Sequence, residues 1–75
     1  MKKAVKYKVS KTGKAITLFF DDNTTDTLNF DQFLKVHKNY TKAVYEYLTY
    51  LFVLCNNYNL FNEIKQEIKQ KLLAE

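Results

Sequence analysis

This chain of 75 residues has no proline, tryptophan or arginine, only one glycine (Gly13) and only one cysteine (Cys55). A single cysteine excludes a disulfide within the chain. His37 and Cys55 are the only soft ligands, too few for a tetrahedral zinc centre. A chain of this length buries only ~60% of the surface that its unfolded form exposes. Without a disulfide or a metal it depends on an efficient core, with self-association as the remaining source of stability. Six Tyr and six Phe supply the large apolar surfaces such a core needs. The longest apolar run, Tyr50 to Cys55, is far below the ~20 residues that span a bilayer. Met1-Lys2-Lys3 opens like a signal peptide, but Lys6, Lys8, Lys11 and Lys14 interrupt every apolar run behind it. A lone cysteine suits a reducing compartment, so the chain reads as cytoplasmic, with no membrane partner.

What is present is lysine, and it is segregated. Residues 1–20 carry six Lys and no acid, residues 21–31 carry Asp21, Asp22, Asp26 and Asp31, and residues 59–75 balance. Val5, Tyr7 and Val9 alternate with Lys6 and Lys8, and Ile16, Leu18 and Phe20 alternate with Thr17 and Phe19. Period two is the pattern of half-buried strands, and Ser10 to Lys14, with Gly13 free to take positive φ, is the turn between them. Asp21-Asp22-Asn23 reads as a second turn and Thr24 to Leu28 as a polar third strand, needed because a two-stranded ribbon is marginal alone.

Three helices follow. Asn29 is a predicted N-cap with Gln32 in the capping-box position, and Phe30, Phe33, Leu34 and His37 share a face of a short helix. Asn39 or Thr41 starts a longer helix that ends near Asn56-Asn57. Asn59 is the expected cap of the last, in which Phe61, Ile64, Ile68 and Leu72 form a narrow stripe while Lys65, Gln66, Lys69 and Gln70 face water. The predicted architecture is α+β: an N-terminal antiparallel hairpin extended to a three-stranded meander, then three helices, in one domain over residues 1–75.

The middle helix stands apart. At the ideal turn angle its apolar arc spans roughly 220°, with Leu48 and Leu51 near the centre, Tyr45 and Phe52 on one rim and Tyr50 on the other. Such an arc is wider than one packing partner covers, so Tyr45, Phe52 and Tyr50 are the expected contacts to a protein partner or a second copy of the chain.

Reaction chemistry finds little footing. His37 lies on an apolar stripe without an acid or nucleophile in its pattern, and Cys55 lies on the apolar arc, where a thiol behaves as a small hydrophobe. Asp21, Asn23 and Thr25 start like a calcium loop, but Asp26 stands where Gly is required and Gln32 where the bidentate Glu belongs. No phosphate-binding glycine loop or serine nucleophile motif occurs. The chain therefore reads as a non-enzymatic protein without a cofactor or metal. Lys6, Lys8, Lys11 and Lys14 form an electrostatic patch that suits a nucleic-acid backbone or an acidic protein, or simply guards an edge strand. Arginine, the commonest reader of guanine edges, is absent.

In size and Lys/Asn/Tyr-rich composition the chain resembles the small proteins encoded by phages and mobile elements of low-GC bacteria. Many of these inhibit or redirect a host protein, anti-CRISPR proteins among them. The resemblance implies a binding protein that modulates a host or partner protein, with a basic nucleic-acid-binding regulator as the alternative.

Overall fold

A computed structural model describes residues 1–73. It contains strands β1 (Ala4–Val9), β2 (Ala15–Phe20) and β3 (Thr25–Asn29), then helices α1 (Phe30–Val36), α2 (Tyr40–Cys55) and α3 (Tyr58–Leu72). The strands form one antiparallel sheet in the order β1-β2-β3, so the α+β meander with three helices is as the sequence predicts. The alternation of β2 makes it the central strand: Ile16, Leu18 and Phe20 are buried on one face, with Thr17 and Phe19 half-exposed on the other.

β1 keeps the expected alternation only from Lys6 onward. Ala4 pairs with Phe20 and Lys6 with Phe19, so Val5 is an extra residue, a β-bulge. The inward set becomes Ala4, Tyr7 and Val9, while Val5 turns to solvent. The cause lies far along the chain. The Asn57 side-chain amide donates to the Ala4 carbonyl at 2.8 Å, and that of Asn56 to the Lys2 carbonyl at 3.1 Å. These bonds pin the start of β1 to the link between α2 and α3.

The turns follow their residue chemistry. Gly13 takes φ +83°, and a Cβ there would stand 2.9 Å from the Lys71 Cβ, so the position requires glycine twice over. Asn23, at φ 69°, turns β2 into β3. The Asp22 carboxylate accepts from the Thr24 hydroxyl and backbone N–H, which holds it below the usual carboxyl range. β3 starts one residue later than expected and buries only Leu28.

Asn29 occupies the N-cap of α1 but makes no side-chain cap bond, and the expected capping box is not formed. The Phe30 N–H donates instead to the Lys14 carbonyl at 2.8 Å, so the hairpin satisfies the helix start. α1 ends at Val36. His37 leaves the helix in an extended conformation instead of continuing its apolar stripe. Asn39 caps α2 by accepting from Lys42 N–H at 3.0 Å. Asn56 ends α2 at φ 50°, and Asn57, one step on, caps α3 by accepting from Leu60 N–H at 3.3 Å. The link is thus shorter than a cap at Asn59 would have made it. Phe61, Ile64, Ile68 and Leu72 are buried, as their spacing requires.

Tyr47 ties these elements together. Its fully buried ring lies 5.2 Å from the Phe30 ring and 5.5 Å from the Phe33 ring, and its hydroxyl donates to the Gly13 carbonyl at 3.1 Å. Around it Ile16, Leu18, Leu51, Ile64 and Ile68 are fully buried.

Leu51→Ala is expected to cost ~2–5 kcal/mol through lost burial and the cavity left behind, measured by denaturant unfolding. A second expectation concerns alkaline pH. Burial raises the Tyr47 phenol well above its usual value of 10, and burial with the Glu67 and Glu63 charges raises that of Tyr7. Both phenols are held neutral in the fold. Their contribution is therefore full below the unfolded value of about 10 and is lost as pH rises toward the folded values. Tyr47→Phe should lose ~1–3 kcal/mol at neutral pH by orphaning the Gly13 carbonyl. Its stability should then decline less steeply than that of the wild type above about pH 10.

Candidate functional site

Since Tyr47 faces inward with Ala43, Val44, Leu48, Leu51 and Cys55, the geometry of α2 fixes what faces outward. Half a turn away lie Tyr45, Thr49, Phe52 and Val53, with Tyr50 on the far rim. Tyr45 is 50%, Phe52 49%, Tyr50 53% and Val53 72% exposed. Neighbouring elements therefore leave both rims of the arc uncovered, including the three aromatics singled out from the sequence. The Thr49 hydroxyl donates back to the Tyr45 carbonyl at 2.9 Å. With that bond made, its methyl group continues the apolar surface. Lys42 and Glu46, of opposite sign, are the only charges on the helix.

The two flanks of this face differ. Toward α3, a groove is lined by Tyr45, Phe52, Phe61, Lys65 and Lys69. Phe52 meets Phe61 edge-on at 5.0 Å, and the Lys65 ammonium stands 5.8 Å from the Phe61 ring centroid. Lys65 and Lys69, expected to face water, are half-buried because their alkyl stems cover the groove wall. Glu63 and Glu67 lie across the apolar stripe from them, toward β1, where Glu67 pairs with Lys71 at 2.9 Å. The groove is therefore basic, with no carboxylate in its lining.

Toward α1 and β3, the cleft is lined by Asp26, Phe33, His37, Glu46, Tyr50 and Leu54, among others. Tyr50 meets Phe33 edge-on at 5.8 Å. His37 Nε2 stands 3.9 Å from Glu46 Oε1, a carboxylate neighbour supplied by a different helix. This flank is acidic. Asp26 reaches it because β3 places that residue opposite Leu18, on the helix side of the sheet.

Cys55 is fully buried, burial raises its thiol, and its Sγ donates to the Asn57 carbonyl at 3.5 Å. Such a thiol is a packing group rather than a nucleophile. Among the described residues no group of three or more His, Cys, Asp or Glu is placed to hold a metal ion, and no helix is long and apolar enough to cross a membrane.

The lysine patch is divided. Lys6 and Lys8 stand on the sheet face turned away from the helices, with Lys6 5.8 Å from the Phe19 ring centroid. Lys11 and Lys14 are exposed in and beside the β1–β2 turn. The sequence patterns did not mark Lys65, Lys69, Asp26 or Glu46 as site residues. Their one local signal is the spacing of Lys65 and Lys69, four apart beside the apolar stripe.

Comparison with protein-family models, curated proteins and solved structures found no match to this chain.

Converting Lys6, Lys8 and Lys11 together to Glu should leave thermal unfolding cooperative, because none of these side chains contributes to the core. Loss of the transition would show that β1 is oriented otherwise.

Proposed function

We propose that this chain is a non-enzymatic binding protein that docks another polypeptide on the outer face of α2. The role that such a surface serves best is modulation or inhibition of a partner protein, in the manner of small phage and mobile-element proteins. One observation carries this reading. The helix that supplies the centre of the core also presents four large apolar side chains, Tyr45, Tyr50, Phe52 and Val53, at about half exposure or more. Scattered single apolar residues are normal on a surface, but a contiguous group on one helix face marks an interaction site. Tyr and Phe supply much contact area at little cost in conformational entropy, which is why aromatics concentrate at interfaces.

A second reading has its own observation. The outer sheet face places Phe19 beside Lys6, with Lys8 opposite Thr17 on the same face, an aromatic with cations on its face of the sheet that suits a nucleic-acid backbone and a stacked base.

Single substitutions separate the two. Tyr45→Ser and Phe52→Ser should shift the thermal midpoint by only a few degrees, because both side chains are half-exposed. The same substitutions should abolish association with a protein captured from a low-GC bacterial lysate. Lys6→Glu with Lys8→Glu should leave that association intact. If the lysine variant alone loses binding, and retention on DNA falls steeply with salt, the sheet face is the functional one.

A further inference from the structure

The charges that flank α2 identify an occupant for its outer face. We infer that this face is covered by a second copy of the chain, in a two-fold dimer whose α2 helices run parallel. The inference rests on the docking reading above and names the partner. On one side of the face stand Lys65 and Lys69, lining the groove with Tyr45 and Phe52. On the other stand Glu46 and Asp26, lining the cleft with Tyr50. Both pairs flank the same stretch of α2. Lys65 and Lys69 share their groove with residues 45 to 52, and Asp26 and Glu46 share their cleft with Tyr50 and Leu54. A two-fold axis parallel to α2, lying in the contact plane, exchanges the flanks while keeping the height along the helix. Each basic groove then meets the other copy's acidic cleft, twice over. An axis across α2 would run the helices antiparallel and set lysine against lysine. The flanks are therefore complementary in one arrangement only, and an isologous contact requires that property. Lys42, three residues before Tyr45, lies in the first turn of α2, before the stretch of residues 45 to 54 where the flanks meet.

The centre of the face suits close approach. Thr49 is small, its hydroxyl is spent on the Tyr45 carbonyl, and Tyr45, Thr49 and Phe52 follow the four-then-three spacing of a helix–helix seam. A stable interface takes ~800 Å² from each partner, a modest share of the 5072 Å² that the chain exposes. A chain this small, without disulfide or metal, gains stability from such a contact.

A charge exchange tests the arrangement. Sedimentation of the wild type should show a dimer that weakens as salt screens the flanks. Lys65→Glu with Lys69→Glu, and separately Asp26→Lys with Glu46→Lys, should each raise the dimer dissociation constant by about tenfold or more. Mixing the two variants should restore dimerisation as a one-to-one heterodimer, since opposite signs again face each other on both flanks. Melting curves of each variant alone check folding. Should a double variant unfold, Lys69→Glu paired with Glu46→Lys makes the same exchange with one charge per flank. The inference is overturned by a monomer at all concentrations up to millimolar, by charge reversals without effect, or by failure of the mixture to restore the dimer. A monomeric wild type that still loses an unlike partner on Tyr45→Ser leaves the docking reading standing. A dimer that survives both Tyr45→Ser and Phe52→Ser is built on another surface and overturns the inference, whereas the docking reading falls only if association with the unlike partner also survives them.

Discussion

The hydrogen bond from the Tyr47 hydroxyl to the Gly13 carbonyl is the constraint on which the rest of the structure depends. A phenol so deep in the core must find an acceptor, and the acceptor here belongs to the β1–β2 turn. That turn also supplies the Lys14 carbonyl that starts α1 and the Ser10 carbonyl that receives Lys71 from α3. One five-residue turn thus meets all three helices or their side chains. Glycine is required at its fourth position, Gly13, because a side chain there would collide with α3. The Phe30 and Phe33 rings close on Tyr47 from α1, so ring packing and the hydroxyl's partner agree on one orientation of α2.

That orientation decides the surface. A helix rotated so that Tyr47 and Leu51 point inward must turn Tyr45, Thr49, Phe52 and Val53 outward, and the short α1 and the narrow stripe of α3 cannot reach around to cover them. Phe61 reaches the edge of Phe52, and Phe33 the edge of Tyr50. Each contact shields one side of a ring and leaves the other open. The charges follow the same logic. Lys65 and Lys69 border one side of the α3 stripe and Glu63 and Glu67 the other, so docking the stripe on the core delivers lysines to α2 and glutamates to β1.

Most of the fold was legible from local pattern. Period two in Ile16-Leu18-Phe20 and helical spacing in Phe61-Ile64-Ile68-Leu72 define faces that hold whatever the surroundings. Gly13 and Asn23 mark positive-φ turns for steric reasons of their own. Departures came where a distant group outcompeted a local one. The Val5 bulge answers to Asn56 and Asn57, some fifty residues away. Asn29 yields the start of α1 to the Lys14 carbonyl. His37 leaves its helical stripe because the chain must turn toward α2, and there it comes to stand beside Glu46.

By itself the sequence determined the α+β order of elements, the inward faces of β2 and α3, and an apolar arc on α2 too wide for its neighbours, with Tyr45, Phe52 and Tyr50 on its rims. Residue spacing encodes these things, because side-chain direction repeats with the backbone period. Only the tertiary structure decided which part of the arc stays open and what charge borders it. Asp26, Glu46, Lys65 and Lys69 come from three different elements. Their placement around one helix is set by strand register and helix docking, and no local period records either.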